Sequence, residues 1–125
     1  IHPDGFARDP THRGIHEGGT VTFVALQLAY FMGFREVILV GVDHRFADEG
    51  AANRLVTSAG PDRNHFDPDY FGPGTQWQLP DLAASERSYC LARRVYEEDG
   101  RRIIDATVGG ALEVFAKQPL EALIR

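Results

Sequence analysis

Residues 62 to 74, DRNHFDPDYFGPG, collect chemically capable side chains in a segment without hydrophobic period. Imidazole titrates nearest neutral pH, so His65 is the residue best suited to act as a general base. Asn64, Asp67 and Tyr70 around it can hold a hydroxylated ligand, although an Asp beside a proline is also ordinary turn chemistry. Phe66 and Phe71 read as anchors that bury themselves against the body of the domain. Pro68 and Pro73 limit the segment's freedom before a ligand arrives. The expectation is a lid that turns His65 toward Asp43, with a self-packed surface loop as the alternative.

Asp43 and His44 follow the apolar run Val37–Val42. A carboxylate there suits a ribose hydroxyl, a metal ion or a catalytic proton, and equally a cap or turn. Thr107, Gly109 and Gly110 follow a second apolar run, within DATVGG. In open α/β sheets ligands bind beyond the carboxyl ends of the strands. Asp43, His44, His65 and Thr107 to Gly110 are therefore expected in one crevice, with Asp43 and His65 in the catalytic roles. Gly18, Gly19 and Thr20 precede a helical stretch, where glycines let a ligand approach free N–H groups and the helix dipole favours an anion. Their spacing matches neither GxGxxG nor GxxxxGK[ST], and glycines also serve simply to turn a helix in tightly. His12 and His16 have ligand-like spacing, but Gly14 between them and Pro10 before them argue against a helix, and no metal site is expected. Cys90 falls on the charged side of its helix, with nothing nearby in sequence to mark a nucleophile.

Strands and helices must position these groups. Residues 1 to 19 read as an irregular lead-in with at most a short edge strand. TVTFVALQLAYFMG predicts a helix capped by Thr20 and stopped by Gly33. Apolar residues lie on nearly every side of it, so it is expected to be buried on most faces. Val37–Val42 predicts a strand covered on both faces. Residues 43 to 79 form a long connection, a length usually functional or mobile, in which FADEGAANRLVTSAG is expected to hold a short helix. From Pro80 a second helix is marked, its inner side formed by Ala84, Ser88, Leu91, Ala92, Val95 and Tyr96. Glu86, Arg87, Arg93, Arg94, Glu97 and Glu98 form its outer side, and Gly100 ends it. RRIIDAT predicts a strand, VGG a turn, LEVF a short strand or helix start, and PLEALIR a short helix. The alternation predicts an α/β fold, three-layer and Rossmann-like, with a small, mainly parallel sheet.

The chain has 125 residues, which suits one domain, 1–125, or the C-terminal part of a larger one. It begins at Ile1 rather than Met, as a piece of a longer protein or a trimmed chain would. Thirteen Lys and Arg against 18 Asp and Glu give a formal charge of -5, the wrong sign for a general nucleic-acid footprint. One cysteine allows no intrachain disulfide and is compatible with a reducing cytoplasm. The most apolar run, Val21 to Met32, is too short to span a bilayer. A thin sheet beside an all-round apolar helix leads us to expect a homo-oligomer or contact with further chain segments.

GGTVTFVALQLAYFMGFREVILVGVD, NHFDPDYF and DATVGGALEVF together resemble a bacterial and archaeal domain family similar to 6-hydroxymethylpterin pyrophosphokinases. The same domain occurs in motility accessory factors linked to flagellin glycosylation, and its organisation is similar to that of single-domain bacterial sialyltransferases that use CMP-sugars. The resemblance covers roughly residues 15 to 116. It implies a nucleotide or nucleotide-sugar ligand bordered by Gly18, Gly19, Thr20, His44, Thr107, Gly109 and Gly110. It implies Asp43 at the active site, His65 as general base, and Asn64, Asp67 and Tyr70 on the acceptor or lid side. Sugar transfer to a hydroxyl acceptor requires no cofactor. The pyrophosphokinase alternative requires Mg²⁺ on carboxylates such as Asp43 and Asp105. A non-catalytic binding or oligomerisation module is the third alternative. The sialyltransferases stabilise the departing phosphate with tyrosines just beyond the strand. Here HRF stands instead, so Arg45 or Tyr70 would have to serve. The wider family's N-terminal glycine-containing nucleotide loop is not in this chain.

Overall fold

A computed structural model describes residues 5–45, 55–57, 76–78 and 81–124. The elements in order are α1 (Pro10–Arg13), α2 (Val21–Phe31), β1 (Glu36–Leu39), β2 (Leu55–Thr57), β3 (Gln76–Gln78), α3 (Leu82–Glu98), β4 (Arg102–Asp105), β5 (Ala116–Lys117) and a terminal 3-10 turn at Leu120–Ala122. The chain divides into two compact units, one joining Ile1–His44 to Ala83–Arg125, the other Arg45–Leu82.

In the first unit the described strands form one parallel sheet in the order β1-β4-β5. Val37 lies opposite Ile103, and Leu39 opposite Asp105. The expected α/β character and the parallel pairing of the two apolar runs are both present. Local signals explain where the helices begin and end. Thr20 Oγ1 accepts the N–H of Thr22 at the start of α2, one of the orphan donors that a helix N-terminus leaves. Gly100, at φ +67°, lets the chain reverse after α3 so that Arg101 N–H reaches the Tyr96 carbonyl at 2.8 Å.

The core draws Phe23 and Leu26 from α2, Tyr89, Ala92, Val95 and Tyr96 from α3, Leu39 and Ile103 from the sheet, and Leu112, Val114 and Phe115 from the turn before β5. Each such large side chain contributes about 1.5–3 kcal/mol by leaving water. Phe6 is fully buried and sets its ring edge-on to Phe23, Tyr30 and Tyr96 at 5.8, 5.5 and 6.3 Å. Gln27, also fully buried, fixes the lead-in to α2. Its Oε1 accepts from Ala7 N–H at 2.9 Å, and its Nε2 donates to the His16 carbonyl at 2.8 Å. Tyr96 Oη donates to the Leu26 carbonyl at 2.6 Å, and burial pushes this phenol up to about 12. Burial, then a hydrogen bond to Asp99, raises Tyr30 as well.

Several expectations need correction. Among the described residues the helix α2 is buried along one face only. Val21, Leu28, Phe31 and Met32 are exposed, while α3 and the Phe6 segment cover the face carrying Phe23, Leu26 and Gln27. The first strand ends at Leu39 rather than Val42 and is not closed in on both faces, since Val37 and Ile38 are half-buried and Val40 is exposed. The lead-in contains the one-turn helix α1, around His12, because Asp9 accepts from Thr11 N–H and Pro10 occupies the first turn. The inner side of α3 is centred on Ser85, Tyr89, Ala92, Val95 and Tyr96, while Ala84, Ser88 and Leu91 are half-buried. LEVF is neither strand nor helix, and the third strand is the pair that follows it.

In the second unit β2 and β3 pair antiparallel, Val56 opposite Trp77. Leu55–Thr57 is strand, as its β-branched pair Val56 and Thr57 favours; the rest of FADEGAANRLVTSAG, in which a short helix was expected, lies outside the described residues. No described helix is long and apolar enough to cross a membrane.

Candidate functional site

At the carboxyl end of the sheet two loops leave neighbouring strands and are stitched together. Val42 N–H donates to Thr107 Oγ1 at 3.0 Å, and Ala111 N–H donates to the Asp43 carbonyl at 2.8 Å. A side chain at Gly110 would press on Thr107 Cγ2 at 3.0 Å and on the Val42 carbonyl at 3.2 Å, so glycine permits this close approach. Asp105 Oδ1 accepts Thr107 N–H at 3.0 Å. Its second oxygen has no hydrogen-bond partner among the described residues, although the residue is 1% exposed, and burying an unpaired polar oxygen is costly.

A second group approaches from α3. His44 Nε2 lies 3.5 Å from Glu86 Oε2, and the imidazole meets the Tyr89 ring edge-on at 6.0 Å. Tyr89 Oη is 3.3 Å from Thr20 Oγ1. Ser85 and Ser88, one turn apart, donate to the carbonyls of Gly19 at 3.1 Å and Gly18 at 2.7 Å. The glycine turn, the N-terminus of α2 and His44 are thus all tied to one stretch of α3.

Asp43, His44, Thr20, Thr107 and Gly110, together with the Gly18-Gly19 turn, are accordingly linked by direct contacts around one end of the first unit. The carboxylate of Asp43 belongs to an exposed residue. Gly109 takes the turn at φ +67° with open space where a side chain would stand. The Gly18 requirement is internal: a Cβ there would overlap the Phe23 ring, so what the glycine accommodates is the core. Asn64, His65, Asp67 and Tyr70 lie outside the described residues, as do Phe66, Pro68, Phe71 and Pro73.

The linking groups Ser85, Glu86, Ser88 and Tyr89 were missed as site residues by sequence reasoning. Tyr89 carried a signal, since Ser85, Tyr89, Ala92 and Tyr96 recur at the spacing of one helix face. Glu86 carried none, because it belongs to the exposed charged side and only the fold brings His44 to it. Two cavities flank the site. One of about 420 Å³ is lined by Val40, Ala106, Thr107, Val108, Gln118 and Leu120, among others. The other, about 380 Å³, lies beside Gly18, Phe23, Arg87 and Ser88. Both fall in the size range of small-ligand pockets. Among the described residues no three His, Cys, Asp or Glu side chains are grouped to hold a metal ion. No protein-family model matches the chain, and no curated protein and no solved structure matches it.

Proposed function

We propose that this chain carries the nucleotide crevice of a Rossmann-like, three-layer α/β transferase, which moves a sugar from a CMP-sugar type of donor to a hydroxyl acceptor. The supporting observation is convergence at the carboxyl end of parallel strands, where such folds take their ligands. The Asp43 loop and the Thr107 turn are joined by two hydrogen bonds, and His44 reaches the glycine turn through Tyr89 and Thr20. In this reading Gly18–Thr20, His44 and Thr107–Gly110 border the nucleotide, and Asp43 takes part in catalysis. His65 as base, with Asn64, Asp67 and Tyr70 near the acceptor, follows from the sequence and the resemblance, since these four lie outside the described residues.

A second reading, pyrophosphoryl transfer from Mg-ATP, draws on one observation: the buried Asp105 carboxylate keeps an oxygen without a partner. Asp105 with Asp43 could then hold the cation that bridges the phosphates. A third, a self-associating module, draws on the exposed Leu28, Phe31, Met32 and Phe34.

Calorimetric titration of the full-length protein with CMP, CDP and ATP, with and without Mg²⁺, separates them. CMP binding without metal is expected for sugar transfer. ATP binding that requires Mg²⁺ replaces it with the pyrophosphokinase. No binding to any of the three leaves the self-associating module.

A further inference from the structure

Among the described residues His44 alone combines a side chain and a left-handed backbone, at φ +54°. That conformation is uncommon outside Asn, Asp and His, and it persists where the surroundings hold it. Here the preceding residues are held by the Val42 to Thr107 and Ala111 to Asp43 hydrogen bonds. The turn brings the imidazole against α3, where its side chain is 9% exposed and its Nε2 faces Glu86 Oε2 at 3.5 Å. Glu86 remains 53% exposed, so the carboxylate stays hydrated while it meets the ring. The Tyr89 ring supports the imidazole from the same helix.

We propose that His44, oriented by Glu86, is the general base of the crevice, in place of His65; this assignment rests on the sugar-transfer reading. An ionised carboxylate only accepts hydrogen bonds. Facing Nε2, it selects the neutral tautomer with its hydrogen on Nε2 and a lone pair on Nδ1. Nδ1 takes the proton of the acceptor hydroxyl as that oxygen bonds to the anomeric carbon of the sugar. The bond from the anomeric carbon to the nucleotide phosphate breaks, and its electron pair leaves with the phosphate. The proton stays on Nδ1 until solvent removes it. Glu86 does not touch the substrate and acts as a positioning residue, in the way a carboxylate fixes an imidazole in other base-assisted transfers.

Two measurements on the full-length protein test this. Long-range ¹H–¹⁵N NMR reads the His44 tautomer. The Nε2–H form is expected in the parent protein, and its preference should be lost in Glu86→Gln. A dominant Nδ1–H form overturns the pairing whatever the reaction is. The second measurement is CMP release from CMP-N-acetylneuraminate with lactose as acceptor. His44→Asn keeps a residue that tolerates the left-handed backbone. It should lower kcat by roughly 10²–10⁴ and leave KM within about twofold, and Glu86→Gln should lower kcat by about tenfold. Retained turnover in His44→Asn together with its loss in His65→Asn returns the base role to His65. If the parent protein neither binds CMP nor releases it from the donor, the sugar-transfer reading falls and takes the base role with it. The tautomer then still decides whether Glu86 orients His44.

Discussion

Gly18→Ala separates what the glycine turn contributes to folding from what it offers a ligand. Gly18 sits at φ +64°, and an added Cβ would overlap Phe23 Cδ2 while standing 2.8 Å from Phe23 Cγ and from Ser88 Oγ. The left-handed backbone costs an L-residue about 1–2 kcal/mol. Phe23 is 1% exposed, so displacing its ring in a packed core adds about 1–3 kcal/mol. The two together predict a loss of about 2–5 kcal/mol. Gly109 is the internal control: it has φ +67°, close to that of Gly18, with nothing within 4 Å of the added carbon. Gly109→Ala therefore carries only the backbone cost, partly offset in the unfolded chain, and should lose about 1 kcal/mol. At about 3–5 °C per kcal/mol for a chain of this length, Gly18→Ala should melt roughly 6–25 °C lower and Gly109→Ala roughly 3–5 °C lower. Urea unfolding followed by circular dichroism gives the free energies. The double variant Gly18→Ala, Phe23→Leu should recover about 1 kcal/mol or more beyond additivity, since the two sites share one clash. Equal losses at Gly109 and Gly18, or strict additivity with Phe23→Leu, would refute the steric account and return the glycine to a ligand-facing role.

Gln27→Leu preserves volume but removes the hydrogen bonds to the Ala7 N–H and to the His16 backbone, and should cost about 2–4 kcal/mol; amide exchange at Ala7 should accelerate well beyond that of the α3 amides. The Tyr96 phenol, at about 12 in the fold against 10 for an ordinary tyrosine, gives a stability term that is complete below pH 10 and is lost as pH rises to 12, because the unfolded chain releases its proton first. The full loss is about 2–3 kcal/mol, and Tyr96→Phe should cost about 1 kcal/mol at neutral pH yet flatten this alkaline decline in urea midpoints. Asp105→Asn keeps an oxygen for Thr107 N–H and puts an amide group where the second oxygen lacks a partner among the described residues, so it should change stability by no more than about 1 kcal/mol; a much larger drop in melting temperature would mean that this oxygen is held by a bound group.

The sequence announces the parts of this fold that local chemistry decides. Thr20, Gly33 and Gly100 punctuate the helices, Arg102–Asp105 is strand as read, and the charged outer side of α3 is exposed as its periodicity requires. It is silent where the answer depends on what lies opposite. An all-round apolar helix reads as surrounded, but only its neighbours determine how many faces are covered, and Leu28, Phe31 and Met32 stay largely exposed. Ala116–Lys117 becomes a strand by pairing with Ile104 and Asp105 rather than by any pattern of its own. The same holds for the site. Asp43, His44 and the Thr107 turn can be placed from strand ends, whereas the meeting of His44 with Glu86, far apart in the chain, requires the fold.

That meeting has an evolutionary consequence. His44 is the last residue before the chain leaves the first unit, and Glu86 lies just after it returns. Their contact at 3.5 Å holds the two mouths of the Arg45–Leu82 insertion together. Both partners belong to the first unit, so an exchange of residues 45 to 82 by recombination leaves the two side chains of the contact in place. A replacement segment then needs only to start and finish at these neighbouring points, which makes the pair a natural boundary for swapping one insertion for another.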